Sequence, residues 1–326
     1  MKVTYFSNAR TALKSSLLDN NFVPKDIVLV PELICDSILI PMNQLKLKLV
    51  FYSINESFSP NWNELIKLIK LNNPKAVLMI HYFGQPKNLS KFIDFSIKNN
   101  LILIEDNAHG YGGKFNGKVL GHFGDIGISS PKKTLNLPSG GVLYSNLKTK
   151  SLIKLNPFPL YKPKFFIKLI LYFSIYFYNK IRYFLYKDSN WNDPYLFKTS
   201  IEKDYKIDFI SKYKIKSTNW DKVAINRRNN WNLWSDFAKR GGLVPVYNDL
   251  SSESCPWALP LLAKDINERN QWINWGLENN IHIFMWPSLP KNIIENEDNA
   301  FKIWKRLICI SLDIPPNLSY NENKNL

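Results

Sequence analysis

The sequence predicts an α/β protein with a large domain over residues 1–218 and a smaller C-terminal α+β domain over 219–326. Short apolar runs alternate with helical segments through the first 145 residues, and strands separated by helices in this way form right-handed parallel crossovers. We therefore expect the large domain to contain a mostly parallel, doubly wound sheet. From about residue 219 the pattern changes to one long helix followed by short strands and helices. A chain of 326 residues is long enough for two such domains.

Each element follows from apolar spacing or from a capping residue. Asn8 is a suitable N-cap for a first helix, in which Leu13 and Leu17 lie four residues apart on one face. Continuous short apolar runs predict buried strands, and apolar residues three or four apart predict helices. In the large domain, strands are expected at 27–30, 49–53, 75–80 and 101–104, and helices around 65–69 and 89–97. In the C-terminal domain, helices are expected at 220–240 and 266–277, and strands at 281–285 and 307–312.

The composition excludes several classes of protein. Hydrophobic residues make up 45% of the chain, which is typical of a globular protein and not of a disordered one. The three cysteines, Cys35, Cys255 and Cys309, lie far apart without the spacing of metal ligands, so we expect neither disulfides nor a metal site. The N-terminal residues lack the apolar run of a signal peptide. Together these features favour a cytoplasmic protein.

The formal net charge of +16 is compatible with nucleic acid, an anionic membrane surface or phosphorylated small molecules as partners. No nucleic-acid-binding motif accompanies the charge, and the lysines are scattered among asparagine and isoleucine residues. We therefore expect a solvated basic surface and no nucleic-acid partner. The field of such a surface would also attract anionic small molecules.

An aromatic and basic segment at 157–187 interrupts the pattern of the large domain. Only ten of its residues, Leu169 to Tyr178, follow one another without a charge, whereas a helix that spans a membrane needs roughly 20 apolar residues. The segment is expected to be an insertion helix packed on the large domain or at a dimer contact. The alternative is an interfacial helix whose lysines reach water, which would place the protein weakly at the inner membrane surface.

The stretch 104–141 contains the residues that point to chemistry. Asp106 ends an apolar strand, and Lys133 follows 27 residues later, just before Gly140-Gly141. Pyridoxal phosphate (PLP) requires an amine that forms a Schiff base and a carboxylate that keeps the pyridine nitrogen protonated, so that the ring accepts electrons. The carboxyl ends of parallel strands are where such sheets bind ligands. We therefore predict PLP as the cofactor, with Asp106 and Lys133 in these roles and Lys132 as the alternative to Lys133.

The same stretch resembles a known family. The chain reads H-Y-F-G-Q-P over 81–86, E-D-N-A-H over 105–109, G-H-F-G-D over 121–125 and G-G at 140–141. These segments resemble V-H-x-Y-G-x-P, E-D-A-A-Q, G-x-x-G-D and G-E-G-G of the DegT/DnrJ/StrS-type sugar aminotransferases, a branch of the fold-type-I PLP-dependent enzymes. Lys133 lies seven residues before the glycine pair, where the family has its lysine.

The resemblance implies an aminotransferase that moves an amino group from glutamate, through PLP, to a keto-sugar linked to a nucleoside diphosphate. Products of this kind feed surface polysaccharide or modified-sugar biosynthesis. It also implies a homodimer, because this fold usually builds its site at the subunit interface. One alternative is another PLP-dependent reaction, although the family's dehydratases usually have histidine instead of the lysine. The other is a catalytically altered PLP-fold protein that serves as a partner or scaffold in glycan assembly.

The resemblance also implies which residues bind the phosphate of the cofactor. Residues 8–13 are similar to the family's G-T-x-A-L helix start, so Arg10 and Thr11 are the expected ligands at a helix N-terminus. The family also uses a serine, usually five residues before the lysine. Here Ser129 and Ser130 lie four and three residues before it, and the sequence leaves open which of them binds.

Three positions depart from the family pattern. His109 stands where the family has a glutamine that donates a hydrogen bond to the phenolic oxygen of the cofactor, and histidine can supply that bond. Cys35 stands in place of an aromatic residue that stacks on PLP, so stacking would have to come from elsewhere, with His81 or Tyr82 as candidates. Ser139 replaces the glutamate before the glycine pair.

Overall fold

A computed structural model of the chain describes residues 2–145, 153–160, 175–197 and 203–316. Within these ranges, strands β1 to β13 span Lys2–Phe6, Ile27–Pro31, Lys48–Tyr52, Ala76–Ile80, Ile102–Asn107, Lys114–Phe115, Lys118–Val119, Ile126–Ser129, Gly141–Ser145, Val244–Pro245, Ala258–Leu262, Ile283–Phe284 and Leu307–Ser311. Helices α1 to α11 span Ala9–Asp19, Asp36–Gln44, Trp62–Asn72, Leu89–Lys98, Pro131–Leu135, Ile175–Tyr186, Phe209–Ser217, Trp220–Arg240, Ile266–Glu278, Lys291–Glu295 and Asn299–Arg306.

The large domain is built on a seven-stranded sheet with the order β1-β9-β8-β5-β4-β2-β3. The pairs β2–β3, β2–β4, β4–β5 and β5–β8 are parallel, which confirms the predicted doubly wound, mostly parallel sheet. At the other edge β9 runs antiparallel to both β8 and β1. The register pairs Ile80 with Asp106 and Asn107 with Ser129, so the carboxyl ends of β4, β5 and β8 lie side by side.

Alternate residues of the central strands face two different cores. Val28 and Leu78 pack with the apolar residues of α1 and α2, whereas Leu29 and Val77 belong to a core that includes α3, α4 and the C-terminal domain. Because the strands are covered on both faces, every second residue need not be polar, and the strands read as continuous apolar runs. This double coverage explains why the sequence pattern was sufficient to predict them.

The C-terminal part forms a four-stranded antiparallel sheet with the order β10-β11-β13-β12. Helix α8 precedes it and begins after Asn219, whose side chain accepts a hydrogen bond from the backbone N–H of Lys222. The predicted boundary between residues 218 and 219 lies immediately before this cap residue, and it stays a prediction. The predicted strand at 281–285 is shorter than expected and spans only Ile283–Phe284.

Much of the aromatic segment 157–187 lies outside the described residues. Its described part includes α6, near whose end the buried guanidinium of Arg182 donates to the carbonyl oxygen of Ile283 (3.1 Å). Helix α6 also packs against α9. This end of the segment thus contacts the C-terminal part of the chain. Among the described residues no helix is long and apolar enough to cross a membrane.

Candidate active site

A cavity of about 210 Å³ lies at the carboxyl ends of β4 and β5. Its walls come from four further parts of the chain: the start of α1, the segment leading into α2, helix α5 and the C-terminal part. Its lining consists of Asn8, Ala9, Arg10, Ile34, Cys35, Ser37, Ile38, Ile80, Asp106, Ala108, His109, Ser130, Lys132, Lys133 and Trp286. A larger cavity of about 430 Å³ is lined by α8 and residues 312–315 and contains none of the predicted site residues.

Asp106 lies at the end of β5 and is only 6% exposed. One carboxylate oxygen accepts a hydrogen bond from the backbone N–H of Ala108 (2.8 Å). Burial raises the pKa of Asp106, while this hydrogen bond and the ammonium of Lys133 oppose the shift. A carboxylate in such a low-dielectric site strongly stabilises a cationic nitrogen placed against it.

Lys133 lies in the short helix α5 and lines the cavity. Its Nζ is 4.6 Å from the centroid of the Trp257 ring, a cation–π distance. Burial lowers the pKa of Lys133, and the nearby Cys35 and Asp106 partly oppose this shift. A lowered pKa increases the fraction of neutral amine, which is the form that attacks a carbonyl carbon. Lys132 also lines the cavity, so the structure brings both candidate lysines to it.

His109 is buried in an aromatic surrounding. Its Nδ1 accepts a hydrogen bond from the backbone N–H of Phe83 (3.3 Å), so the neutral ring carries its proton on Nε2. Burial, together with the ammonium of Lys133, lowers the pKa of His109 well below its usual value. The ring therefore stays neutral and presents one N–H donor. Its centroid lies 4.6 Å from that of Trp257 and 5.6 Å from that of Trp286.

The first turn of α1 forms the polar end of the cavity. Asn8 caps this helix, and its side chain accepts from the backbone N–H of Thr11 (2.9 Å). Arg10 and Ser130 line the cavity beside the helix start. The hydroxyl of Thr11 instead donates to the carboxylate of Asp204 (3.2 Å). Of the two predicted phosphate ligands, Arg10 therefore lines the cavity, whereas Thr11 does not.

Ser129 does not line the cavity, because it points to the other face of β8. A Cβ on Gly127 would lie 1.7 Å from the carbonyl oxygen of Gly121, so this face is closely covered by residues around Gly121. Ser129 is two residues further along the strand and points the same way. Its Oγ would lie 3.5 Å from a Cβ placed on Gly121. The structure thus brings Ser130, and not Ser129, to the cavity.

The glycine pair allows strand β9 to pass directly against the start of α1. A Cβ on Gly141 would lie 2.1 Å from the carbonyl carbon of Asn8, which no side chain could tolerate. Gly140 adopts a φ of 150° and donates its N–H to the carbonyl oxygen of Ser7 (2.8 Å). The pair thereby holds the helix N-terminus against the cavity.

A buried pair that the sequence reasoning missed lies behind Asp106. His81 Nε2 is 2.8 Å from Glu105 Oε1, and both side chains are fully buried. Glu105 also accepts backbone N–H groups from the turn at 121–124, which carries the G-x-x-G-D motif. His81 therefore points away from the cavity, and the hydroxyl of Tyr82 donates to the carbonyl oxygen of Leu33 (2.7 Å). Neither residue is placed to stack on a ligand in the cavity, so the expectation for His81 and Tyr82 is wrong.

Two tryptophans from the C-terminal part were also missed. Trp257 precedes β11 and lies over the ammonium of Lys133, and Trp286 follows β12 and lines the cavity. Cys35 lines the same cavity and its Sγ is 3.5 Å from the hydroxyl of Ser288. The aromatic side chains beside Lys133 and Cys35 thus come from residues that lie more than 200 positions after Cys35 in the sequence.

Comparison with known proteins agrees with the predicted resemblance. Residues 2–150, which contain β1 to β9 and α5, match the model of the DegT/DnrJ/EryC1/StrS aminotransferase family. The matched segment makes up somewhat less than half of the chain. It includes Asp106 and Lys133, and the match confirms the family predicted from the motifs.

Curated relatives match part of the chain. GDP-perosamine synthase from Escherichia coli O157:H7 is 30% identical over 151 residues, which cover 45% of this chain and 41% of the relative. The dTDP-4-dehydro-2,3,6-trideoxy-D-glucose 4-aminotransferase of Saccharopolyspora spinosa is 37% identical over 73 residues, or 22% of this chain and 19% of the relative. The chain thus matches less than half the length of either curated relative.

Solved structures resemble nearly the whole chain. Helicobacter pylori PseC, an aminotransferase involved in pseudoaminic acid biosynthesis, superposes with a TM-score of 0.69 at 14% identity over 98% of this chain and 83% of that protein. GDP-4-keto-6-deoxy-D-mannose-3-dehydratase from E. coli, solved with bound hydrated PLP, gives a TM-score of 0.64 at 18% identity over 95% of this chain and 83% of that protein. The fold-type-I architecture predicted from the sequence is confirmed by this likeness.

Proposed function

We propose that this chain is a PLP-dependent aminotransferase that passes an amino group from glutamate to a keto-sugar linked to a nucleoside diphosphate. The observation that carries the proposal is that one cavity is lined by Asp106, by Lys133 and by the N-terminus of helix α1. All of these groups lie within the segment that matches the model of the aminotransferase family.

The donor set of the cavity fits PLP group by group. The phosphate would bind at the start of α1, beside Arg10 and Ser130, where backbone N–H groups and the helix dipole favour an anion. The carboxylate of Asp106 would hold the ring nitrogen in its protonated form. The Nε2–H of His109 would donate to the phenolic oxygen. Lys133 would bind the aldehyde carbon through its amine.

PLP, when bound, supplies an electron sink that stabilises negative charge at the carbon next to the substrate nitrogen. The chain's own residues would hold that sink in place and move the proton. Once released by the incoming substrate, the amine of Lys133 would take the proton from that carbon of the amino donor. Its lowered pKa suits this task, because a base works best when its pKa lies near the working pH. The ring of Trp257 would keep water from the amine.

The relatives and the size of the cavity support the substrate class. The curated relatives include GDP-perosamine synthase and a dTDP-sugar 4-aminotransferase. A cavity of about 210 Å³ is smaller than the roughly 300–1,000 Å³ of most ligand sites. The nucleotide would therefore lie outside it, where the net charge of +16 favours a diphosphate.

Absorbance of the purified protein with PLP, before and after addition of L-glutamate, tests the proposal. We expect a band near ~420 nm from lysine-bound cofactor that moves to ~330 nm with glutamate as the cofactor takes up the amino group. A band that does not change when glutamate is added would contradict glutamate as the amino donor but would still support PLP as the cofactor. Absence of any band would contradict the proposed aminotransferase activity. It would favour the alternative of a catalytically altered protein that serves as a scaffold in glycan assembly.

We also propose that the protein is a homodimer whose interface lies near the cavity. Helix α7 carries Phe209 and Tyr213 four residues apart, and their side chains are 69% and 68% exposed. Its N-cap Asp208 hydrogen-bonds to Ser139, next to the glycine pair, so this exposed apolar surface lies close to the site. Sedimentation velocity should show a dimer for the natural chain and a monomer for the Phe209→Ser, Tyr213→Ser double variant. A dimer in both would place the interface elsewhere, and a monomer in both would contradict the proposal.

A cytoplasmic location with weak contact to the inner membrane surface completes the proposal. Three unpaired cysteines suit a reducing compartment. The described end of the 157–187 segment exposes Phe184 and Leu185, each 65% accessible. Cosedimentation with anionic vesicles at low salt tests the membrane contact, and protein that stays in the supernatant would contradict it.

A further inference from the structure

Arg227 lies in α8 and does not line the 210 Å³ cavity that contains Lys133. The residue is only 4% exposed. Its Nη1 donates to the carbonyl oxygens of Pro256 (3.2 Å) and Trp257 (2.9 Å). Its Nη2 donates to the carbonyl oxygen of Thr134 (3.0 Å) and forms an ion pair with Asp313. One guanidinium therefore joins three separate parts of the chain.

Two of these partners are the immediate surroundings of Lys133. Thr134 follows it in α5, and the ring of Trp257 lies 4.6 Å from its Nζ. Arg227 thus connects the backbone that carries the lysine to the backbone that carries the aromatic ring over its ammonium. We propose that Arg227 is a positioning residue, which fixes α5 relative to Trp257 and so determines where the amine of Lys133 lies in the cavity. The proposal deepens the aminotransferase function and gives it a residue remote from the cofactor.

The chemistry of the side chain suits this task. Guanidinium is planar and carries five N–H donors in a rigid fork, so it can bridge several carbonyl oxygens at fixed angles, which a lysine ammonium cannot do. The carboxylate of Asp313, 26% exposed, balances the charge. Reactions at a positioned amine are sensitive to displacements of about 1 Å. A bridge from α5 to Trp257 therefore controls reactivity as well as packing.

Loss of the bridge should change the surroundings of the Lys133 amine. Without it, the Trp257 segment and α5 can separate and admit water. The titratable groups that face the amine are Cys35 and Asp106, and its charge in turn affects His109. None of them is altered by a change at Arg227. Because burial is the main cause of the lowered pKa of Lys133, hydration should move that pKa upward.

The test measures the reactivity of Lys133 in the full chain without PLP. Reductive methylation at a series of pH values, followed by peptide mapping, gives the pH midpoint at which each lysine reacts. In Arg227→Gln we expect the midpoint of Lys133 to rise by about one pH unit, while that of Lys132 stays the same. The measurement needs no cofactor or substrate, so its outcome is independent of whether glutamate changes the absorbance spectrum.

Arg228→Gln is the matched control. Arg228 is the next residue of α8, and its Nη1 donates to the carbonyl oxygen of Ser254 (2.7 Å), three residues before Trp257. It anchors the same segment, so its loss should lower the melting temperature without moving the midpoint of Lys133. An unchanged midpoint in folded Arg227→Gln, or an equal shift in Arg228→Gln, would overturn the proposal. If Arg227→Gln does not fold, Arg227→Lys takes its place. We expect the same rise in the midpoint of Lys133, and an unchanged midpoint would again overturn the proposal.

Discussion

Replacement of Lys133 by alanine should abolish covalent retention of PLP, whereas Lys132→Ala should retain it. Both lysines line the cavity, but the amine of Lys133 lies over the Trp257 ring and close enough to Asp106 and Cys35 to interact with their charges. Borohydride reduction fixes PLP on the lysine that holds it, and peptide mapping then identifies that residue. Turnover of Lys133→Ala should fall by ~10²–10⁴ or more, the usual contribution of a general base.

The pair of variants decides between two neighbouring positions. Suppose that reduced PLP is found on Lys132 in the natural chain and is absent from Lys132→Ala. Lys132 would then be the lysine that holds PLP, and PLP would remain the cofactor. Label on neither lysine would contradict PLP binding through an amine altogether. Since both variants remove the same positive charge next to the same helix, a difference between them reports position and not net charge.

The sheet could be predicted because its burial leaves a local signal. Strands β2 and β4 are covered on both faces and therefore read as apolar runs in the sequence. The pairing of β1 with β9 leaves no such signal, because Lys2 and its partner Ser145 are far apart in the chain and either strand could have paired elsewhere. Local periodicity predicts that a strand exists but not which strand lies beside it.

The site could be predicted where one short segment carries it. Asp106 lies at the end of β5, and Lys133 lies in the helix that follows β8. Each belongs to a short contiguous motif, and both line the cavity. The choice between Ser129 and Ser130 depends on which face of β8 Ser129 occupies, and the sequence alone does not fix which face of the sheet looks toward the cavity. Thr11 faces Asp204, a partner almost 200 residues away that no local pattern reveals.

The contributions of the C-terminal part were missed for the same reason. Trp257 and Trp286 have the same pattern as ordinary core tryptophans, and only the fold brings them to Lys133 and His109. Arg227 lies in a long helix rich in charged and polar residues, where an arginine is normally solvated. Its carbonyl partners come from loops and ends of elements that have no sequence signature.

Glu105→Gln should cause the largest loss of stability among single changes near the site. The Glu105 carboxylate is fully buried and accepts four hydrogen bonds, one from His81 and three from backbone N–H groups of the turn at 121–124. Glutamine has a single acceptor oxygen, and its amide N–H₂ would face donors that need an acceptor. Removing one partner of a buried pair costs about 3–5 kcal/mol, a large part of the roughly 5–15 kcal/mol that holds a domain folded.

Urea unfolding of both proteins at neutral pH measures this loss. Glu253→Gln is the matched control, because the carboxylate of Glu253 accepts an exposed backbone N–H, that of Gly117. This variant should lose less than about 1 kcal/mol of stability. An unfolding midpoint of Glu105→Gln equal to that of the natural chain would show that the carboxylate does not hold the turn against β5.

The pH dependence of stability shows how much of the effect of Glu105 comes from its negative charge. Burial alone would raise its pKa, but the hydrogen bond and charge of His81 and the N–H groups of the turn outweigh burial, and the pKa lies below its usual value. A carboxyl whose pKa is lowered by folding stabilises the protein above its unfolded value near ~4.3 and loses that contribution as the pH falls through the folded value. The natural chain should therefore lose stability below about pH 4.3, and the deficit of Glu105→Gln should shrink over the same range. Because Asp106 is the next residue of β5, a variant that releases the turn should also displace the carboxylate proposed to hold the cofactor.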